Sequence, residues 1–197
     1  MDTLNVSRQG KLVLIIGPSG VGKSVILKEL RKRHPELHFP RSATTRTRRP
    51  REGTELYHFV TDQEFDRLIA EGRLLERATV HESARYGTLI DEIIPAIEQG
   101  KTVVREVDVQ GFESIRTHPL FSGSTAPYTL QSMFILPESR EQLLAHIAKR
   151  APMERAELLH RMESMDRELS FAKFCNAQVT NHEGEMEETI REMEELL

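Results

Sequence analysis

One run, Gly17-Pro18-Ser19-Gly20-Val21-Gly22-Lys23-Ser24, constrains the chain more than any other. It has the spacing Gly-x4-Gly-Lys-Ser and lies between segments of two different periods. Leu12-Val13-Leu14-Ile15-Ile16 is unbroken and apolar, as expected of a parallel strand covered on both faces. Val25 to Arg31 carries apolar residues at helical spacing, and Pro35 follows. In a strand, glycine turn and helix, the glycines let successive backbone N–H groups converge on phosphate oxygens at the positive end of the helix. Lys23 then neutralises the β and γ phosphates, and the Ser24 hydroxyl ligates Mg²⁺. The whole run from Gly17 to Ser24 is read as a nucleoside triphosphate site.

The 197 residues suffice for one domain with a buried core. With 38% hydrophobic and 29% charged residues the composition is that of a soluble globular protein. No apolar stretch approaches the roughly 18 residues that a membrane helix needs, and Met1 to Asn5 lacks a secretory pattern, so a cytoplasmic location without membrane attachment is expected. The single cysteine, Cys175, excludes an internal disulfide and is expected to be a core thiol. Charge is unevenly distributed. Arg41, Arg46, Arg48, Arg49 and Arg51 fall in an acid-free stretch, whereas seven glutamates and one arginine lie between Glu183 and Leu197. Apolar Met186, Ile190, Met193, Leu196 and Leu197 make that acidic tail an amphipathic closing helix. The arginine run by itself suits either an anion clamp or a basic surface for nucleic acid.

Start and stop signals organise the remainder. Thr61 and Glu64 form a capping box ahead of Phe65, Leu68 and Ile69, with Gly72 as the stop. Thr88 to Gln99 reads as a helix interrupted or restarted at Pro95. Strands are expected at Thr102–Val107, ending at Asp108, at Leu130–Leu136 and at Ala177–Asn181. Ser139 and Gln142 form a second capping box after Pro137, and a long polar helix runs from about Glu154 to Phe174. Such alternation behind a phosphate loop predicts an α/β three-layer sandwich with a mostly parallel central sheet. Ligands of such folds gather at the carboxyl ends of the strands, which marks Asp108.

Four separated segments resemble the guanylate kinase family, from about Lys11 to Asn181. They are Ser42-Ala43-Thr44-Thr45-Arg46 with a second arginine after it, Tyr57-His58-Phe59 followed by Glu64-Phe65, Glu76 with Tyr86-Gly87-Thr88, and Glu106-Val107-Asp108-Val109-Gln110-Gly111. The resemblance implies a P-loop nucleoside monophosphate kinase with ATP as co-substrate, Mg²⁺ as cofactor and GMP, with dGMP, as acceptor. It implies a single domain over 1–197, with a core of 1–39, 88–145 and 163–197, a GMP-binding subdomain of 40–87 and a lid of 146–162. By the same resemblance the acceptor's phosphate is held by Arg46, one of Arg49 or Arg51, Tyr57 and Tyr86. Glu76 accepts from the guanine N1–H and amino group, Ser42 and Thr88 meet the O6 side, and Asp108 assists at the base. Arg150 and Arg161 close over the phosphates, Asn181 contacts adenine, and Glu106 with Asp108 organises water around the metal. The residue types suit these tasks, since forked guanidinium groups and phenols bind a phosphate dianion and a carboxylate matches two adjacent N–H donors.

The sequence departs from the family pattern in places: Arg85 stands where a neutral residue is common, and His146 stands where the lid begins with an arginine. The expected reaction is direct phosphoryl transfer from ATP to GMP by a monomer or homodimer that binds no nucleic acid. Two alternatives stand beside it: a kinase of another small phosphate acceptor such as a ribose bisphosphate, and a non-catalytic module of the same fold that recognises phosphopeptides. An intact Lys23-Ser24 pair argues against the second.

Overall fold

All five residues from Leu12 to Ile16 are fully buried, which is the expected signature of a strand with cover on both faces. They belong to β1 (Lys11–Ile16), which leads through the glycine turn into α1 (Lys23–Arg33). The computed structural model describes residues 9–80, 84–148 and 155–197, with the backbone alone for 80, 147, 148 and 155–160. After α1 come β2 (Ser42–Thr44), β3 (Tyr57–Phe59), α2 (Asp62–Ala70), β4 (Leu74–Val80), β5 (Ala84–Leu89), α3 (Ile90–Glu98) and β6 (Thr102–Glu106). Then follow α4 (Val109–Arg116), β7 (Thr129–Pro137), α5 (Arg140–Ala148), α6 (Arg155–Leu169), β8 (Ala177–Asn181) and α7 (Met186–Leu196).

The strands form two four-stranded sheets. The first is the parallel central sheet, ordered β6-β1-β7-β8, and the second is ordered β3-β2-β5-β4. Two compact units emerge from the chain. One takes the residues up to Leu12, Glu36–Val104 and Glu113–Leu130, and the other takes Val13–Pro35, Arg105–Phe112 and Gln131–Leu197. In the second unit β7 and β8 run parallel in register, Met133 opposite Ala177 through Pro137 opposite Asn181. The closing helix α7 packs on β8 and α1. Its Ile190 and Met193 are fully buried, while Arg33 pairs with Glu187 and His34 Nε2 lies 2.9 Å from Glu194 Oε1. The tail therefore closes the core as its periodicity predicts.

The first capping box is reciprocal: Thr61 Oγ1 accepts from Glu64 N at 3.2 Å and Glu64 Oε2 accepts from Thr61 N at 2.7 Å. In the second, Ser139 Oγ accepts from Gln142 N, but the Gln142 side chain accepts from Glu138 N, one residue before the cap.

Three expected boundaries are corrected. Thr88 and Leu89 close strand β5, and the helix begins at Ile90 and continues through Pro95. Pro95 and Asp91 are both exposed, so the Asp91 carbonyl deprived of its helical donor can be hydrated, and the helix survives. The strand expected to reach Val107 ends at Glu106, and Asp108 instead caps α4, its Oδ1 accepting from Gly111 N at 2.7 Å. The long polar helix ends at Leu169. Ser170 N donates to Asp166 O at 3.2 Å, Phe171 N tightens to Glu168 O at 3.1 Å, and a 3₁₀ turn covers Ala172–Phe174. Cys175, expected in the core, is half-buried beside that turn.

Candidate active site

The phosphate loop, in the second unit, is shaped by backbone. Gly22 has φ of 100°, and a Cβ there would fall 2.8 Å from Asn181 Nδ2. A Cβ at Gly17 would fall 2.6 Å from the Ile135 carbonyl oxygen. Gly22 is also the N-cap of α1, whose first turn has neither a side-chain cap nor an acidic residue, so the helix presents its N–H groups and positive end to the loop. Lys23 is folded inward. Its Nζ donates to Gly17 O at 2.6 Å and Pro18 O at 3.0 Å and lies 4.0 Å from Glu106 Oε1. The Ser19 N–H donates to Glu168 Oε2 at 3.0 Å, a carboxylate that also accepts from Ser164 Oγ. Asn181, at the end of β8, supports the loop from below: Nδ2 donates to Val21 O at 2.8 Å and Oδ1 accepts from Thr189 Oγ1.

The donor set for a metal is oxygen only. Ser24 is exposed on the first turn of α1, and Glu106 ends β6 close to Lys23. Among the described residues no group of three or more His, Cys, Asp or Glu could hold a metal by itself. These residues fit a hard cation that keeps its waters and takes most of its ligands from nucleotide phosphates, which is how Mg²⁺ is usually bound.

The residues expected to bind the acceptor lie in the first unit, on the sheet β3-β2-β5-β4. Ser42 stands opposite Tyr57 on β3 and opposite Thr88 on β5, and Thr88 stands opposite Glu76 on β4. Tyr57, Ser42, Thr88 and Glu76 thus form one row across four strands. Two residues along, Phe59, Thr44, Tyr86 and Ala78 form the next row, and the two-residue period puts both rows on one face. The other face is covered by α2, whose Phe65 packs on Ala43, with Leu68, Ile69 and Leu74 around it. Gly87 is needed there, because a Cβ would come within 3.0 Å of the Leu74 methyls and 3.2 Å of Phe65.

The face that bears the two rows has both an acidic and a basic end. At β4, the Thr88 hydroxyl donates to Glu76 Oε1 and orients that carboxylate. At β3, the Arg46 guanidinium lies over the Tyr57 and Phe59 rings, 5.5 and 5.4 Å from their centroids, and Tyr86 meets Tyr57 edge to face at 5.9 Å. Sequence reasoning did not find its ion partner, Glu52. Arg46 Nη2 and Nη1 grip the two Glu52 oxygens at 2.6 and 3.1 Å, and Arg49 N donates to Oε2 at 2.9 Å. The Arg46 hydrogen bonds, then that of the Arg49 backbone, outweigh burial and hold the Glu52 carboxyl at about 2. The available signal was position, for Glu52 is the first acid after the arginine run. Arg49 and Arg51 are both exposed, and Arg51 has a left-handed backbone with φ of 63°. Asp108 lies in the other unit, Arg161 is exposed on α6, and Arg150 lies outside the described residues.

The family model for guanylate kinase matches residues 9–197. The chain belongs to the guanylate kinase family. It is 37% identical to a guanylate kinase of Leifsonia xyli over 178 residues, 90% of this chain and 67% of that one. A guanylate kinase of Nostoc is 37% identical over 89% of this chain and 84% of its own, and one of Clostridium perfringens is 33% identical over 100% and 87%. The crystal structure of guanylate kinase from Anaplasma phagocytophilum superposes with a TM-score of 0.66, covering 96% of this chain and 85% of that one at 22% identity, a likeness of fold. Within the guanylate kinase pattern, the unusual Arg85 has a structural task. It pairs with Asp66 at 2.6 Å and Asp62 at 2.9 Å and lies 4.6 Å over the Phe65 ring, clamping α2 to β5. His146 stands 3.6 Å from Glu183.

Proposed function

We propose that this guanylate kinase transfers the γ-phosphoryl group of ATP to GMP, giving ADP and GDP, and likewise to dGMP, giving ADP and dGDP. An oxygen of the acceptor's phosphate attacks the γ-phosphorus, and the bond from that phosphorus to the β–γ bridging oxygen breaks, so that the electron pair leaves with ADP. The protein's part is positioning and charge. Residues 17–24 cradle the donor phosphates with backbone N–H groups, and Lys23 swings from the Gly17 and Pro18 carbonyls onto them. Arg46 exchanges Glu52 for the acceptor's phosphate, aided by Tyr57, Tyr86 and an arginine from the pair Arg49 and Arg51. Glu76 accepts from the two guanine donors, Ser42 and Thr88 face its O6 side, and Asp108 assists. Arg150 and Arg161 belong to a lid of 146–162 over a core of 1–39, 88–145 and 163–197, with 40–87 as the GMP-binding subdomain. Asn181 meets adenine, a role that rests on the family resemblance alone. Mg²⁺, when bound through Ser24, neutralises charge that develops on the β and γ oxygens.

The observation that carries the reading is the row Tyr57-Ser42-Thr88-Glu76, with Thr88 already orienting the Glu76 carboxylate. A carboxylate so held suits a base with adjacent N1–H and amino donors. Adenine offers no such pair and leaves an acceptor oxygen of the carboxylate unsatisfied. No helix among the described residues is long and apolar enough to cross a membrane, and a monomer or homodimer in the cytoplasm is our reading. The test is ADP release with GMP, dGMP, AMP, UMP, CMP and ribose phosphates as acceptors. Turnover confined to GMP and dGMP is expected, and turnover on a ribose phosphate with none on GMP refutes the assignment.

A further inference from the structure

The strand β3 has only three residues and lies at the edge of its sheet, a marginal element by itself. Yet it carries Tyr57 and Phe59, the two rings beneath Arg46. Alternation puts Tyr57 and Phe59 on the face that bears the two rows and leaves His58 as the one residue of β3 on the other. There it meets a single carboxylate, Glu92, in the first turn of α3. Glu92 Oε1 lies 2.6 Å from His58 Nε2, which therefore bears the hydrogen, and accepts from Arg41 Nη2 at 2.9 Å. Glu92 Oε2 lies 3.3 Å from Arg41 N, and the Glu92 carbonyl faces His38 Nε2 at 2.9 Å. Arg41 immediately precedes Ser42. One carboxylate with a side chain 17% exposed thus grips the strand that bears Tyr57 and the entry to the strand that bears Ser42.

Accordingly, we infer that Glu92 is a positioning residue for the acceptor site, tying β3 and the start of β2 to α3 so that Tyr57, Ser42 and Arg46 keep their places on the face that bears the two rows. The inference rests on the GMP reading above. Two features make the arrangement more than an ordinary surface pair. The carboxylate takes donors from two strand segments at once, and its place in the first turn of a helix favours its charge.

The experiment compares wild type with Glu92→Gln and Glu92→Ala by steady-state kinetics on GMP and ATP, alongside thermal unfolding. A rise of about tenfold in the KM for GMP is expected for Glu92→Ala, with kcat and the KM for ATP within about twofold, the pattern of lost ground-state positioning. Glu92→Gln, which keeps the shape and one acceptor, should fall between. Tyr57→Phe in the Glu92→Gln background should cost less than in wild type, because the two act through the same strand. Should Glu92→Ala fail to fold, the Gln variant and its double mutant still decide. A lowered Tm with an unchanged KM for GMP, or strict additivity with Tyr57→Phe, overturns the positioning role. A wild type that ignores GMP would instead overturn the functional reading on which the inference rests.

Discussion

The two regions proposed to bind the substrates, one in each compact unit, are built by opposite means. The phosphate loop offers its ligand backbone: Gly17 and Gly22 occur where a Cβ would collide, and α1 begins with its N–H groups uncapped. Lys23 and Ser24, the side chains proposed to act there, are contiguous with the loop. The acceptor face offers side chains from four strands, brought into one row by register, with Glu76 and Tyr57 at its ends and 19 positions apart in sequence. A backbone site needs one local conformation and tolerates many side chains. A side-chain site needs a whole sheet in register and tolerates few. In this structure, a carboxylate of the protein sits on each region, Glu168 on the Ser19 N–H and Glu52 on Arg46. Both are the kind of oxygen anion that the substrates' phosphates also present.

The largest effect expected is from Lys23→Ala. Lys23 touches loop carbonyls and no core residue in its described contacts, so the fold should persist while kcat falls on the order of 10³-fold or more, the scale of several kcal/mol of lost charge stabilisation. Stopped-flow or coupled turnover with a circular dichroism control measures it. Near-normal turnover by the folded variant would break the assignment of this region.

Glu76→Gln tests the other region. Losing a charged acceptor and turning an NH₂ toward a donor costs roughly 1.5–3 kcal/mol, so kcat/KM for GMP should fall about tenfold to a few hundredfold. Affinity for an ATP analogue should be unchanged. A GMP efficiency equal to that of wild type would mean that the row does not read the base.

A third effect is electrostatic and confined to the acceptor region. Because the folded-state carboxyl of Glu52 is depressed to about 2 from 4.5, its contribution to stability is present above about pH 4.5 and is lost as pH falls toward 2. The urea midpoint of wild type relative to Glu52→Gln should accordingly be constant from pH 8 to about pH 5 and converge below it. A difference that grew on acidification would contradict the Arg46 pairing.

The smallest effect belongs to the loop and sharpens the contrast most. Ser19 contributes its N–H, so Ser19→Ala should leave kcat and the KM for ATP within about twofold, whereas Ser42→Ala, a side chain in the row, should raise the KM for GMP by more than that. Similar losses from both would show that the loop's side chains matter as the sheet's do.

Local features were legible in the chain. Strand β1, α1 between them the glycine turn, the capping box at Thr61 and the amphipathic tail depend on neighbours within a few positions, and each was expected where it formed. The second sheet was not anticipated as a sheet. Its strands β2 and β3 are three residues long, too short for a period, and β4 and β5 mix charged, small and apolar residues without a clean alternation. The same cause misplaced Thr88 and Leu89 in a helix, where an apolar run continuing into Ile90 concealed the change of period.

By itself, then, the order of residues determined the phosphate loop, its flanking strand and helix, and the residue types available to an acceptor, since these are matters of local backbone freedom, short-range periodicity and composition. Which of those residues share a face was decided by tertiary structure. Register across β3-β2-β5-β4 aligned Tyr57, Ser42, Thr88 and Glu76, and the packing of α3 brought Glu92 to Arg41 and His58. The physical reason is that a cross-strand neighbour is fixed by hydrogen-bond pairing between distant segments, and no local propensity encodes that pairing.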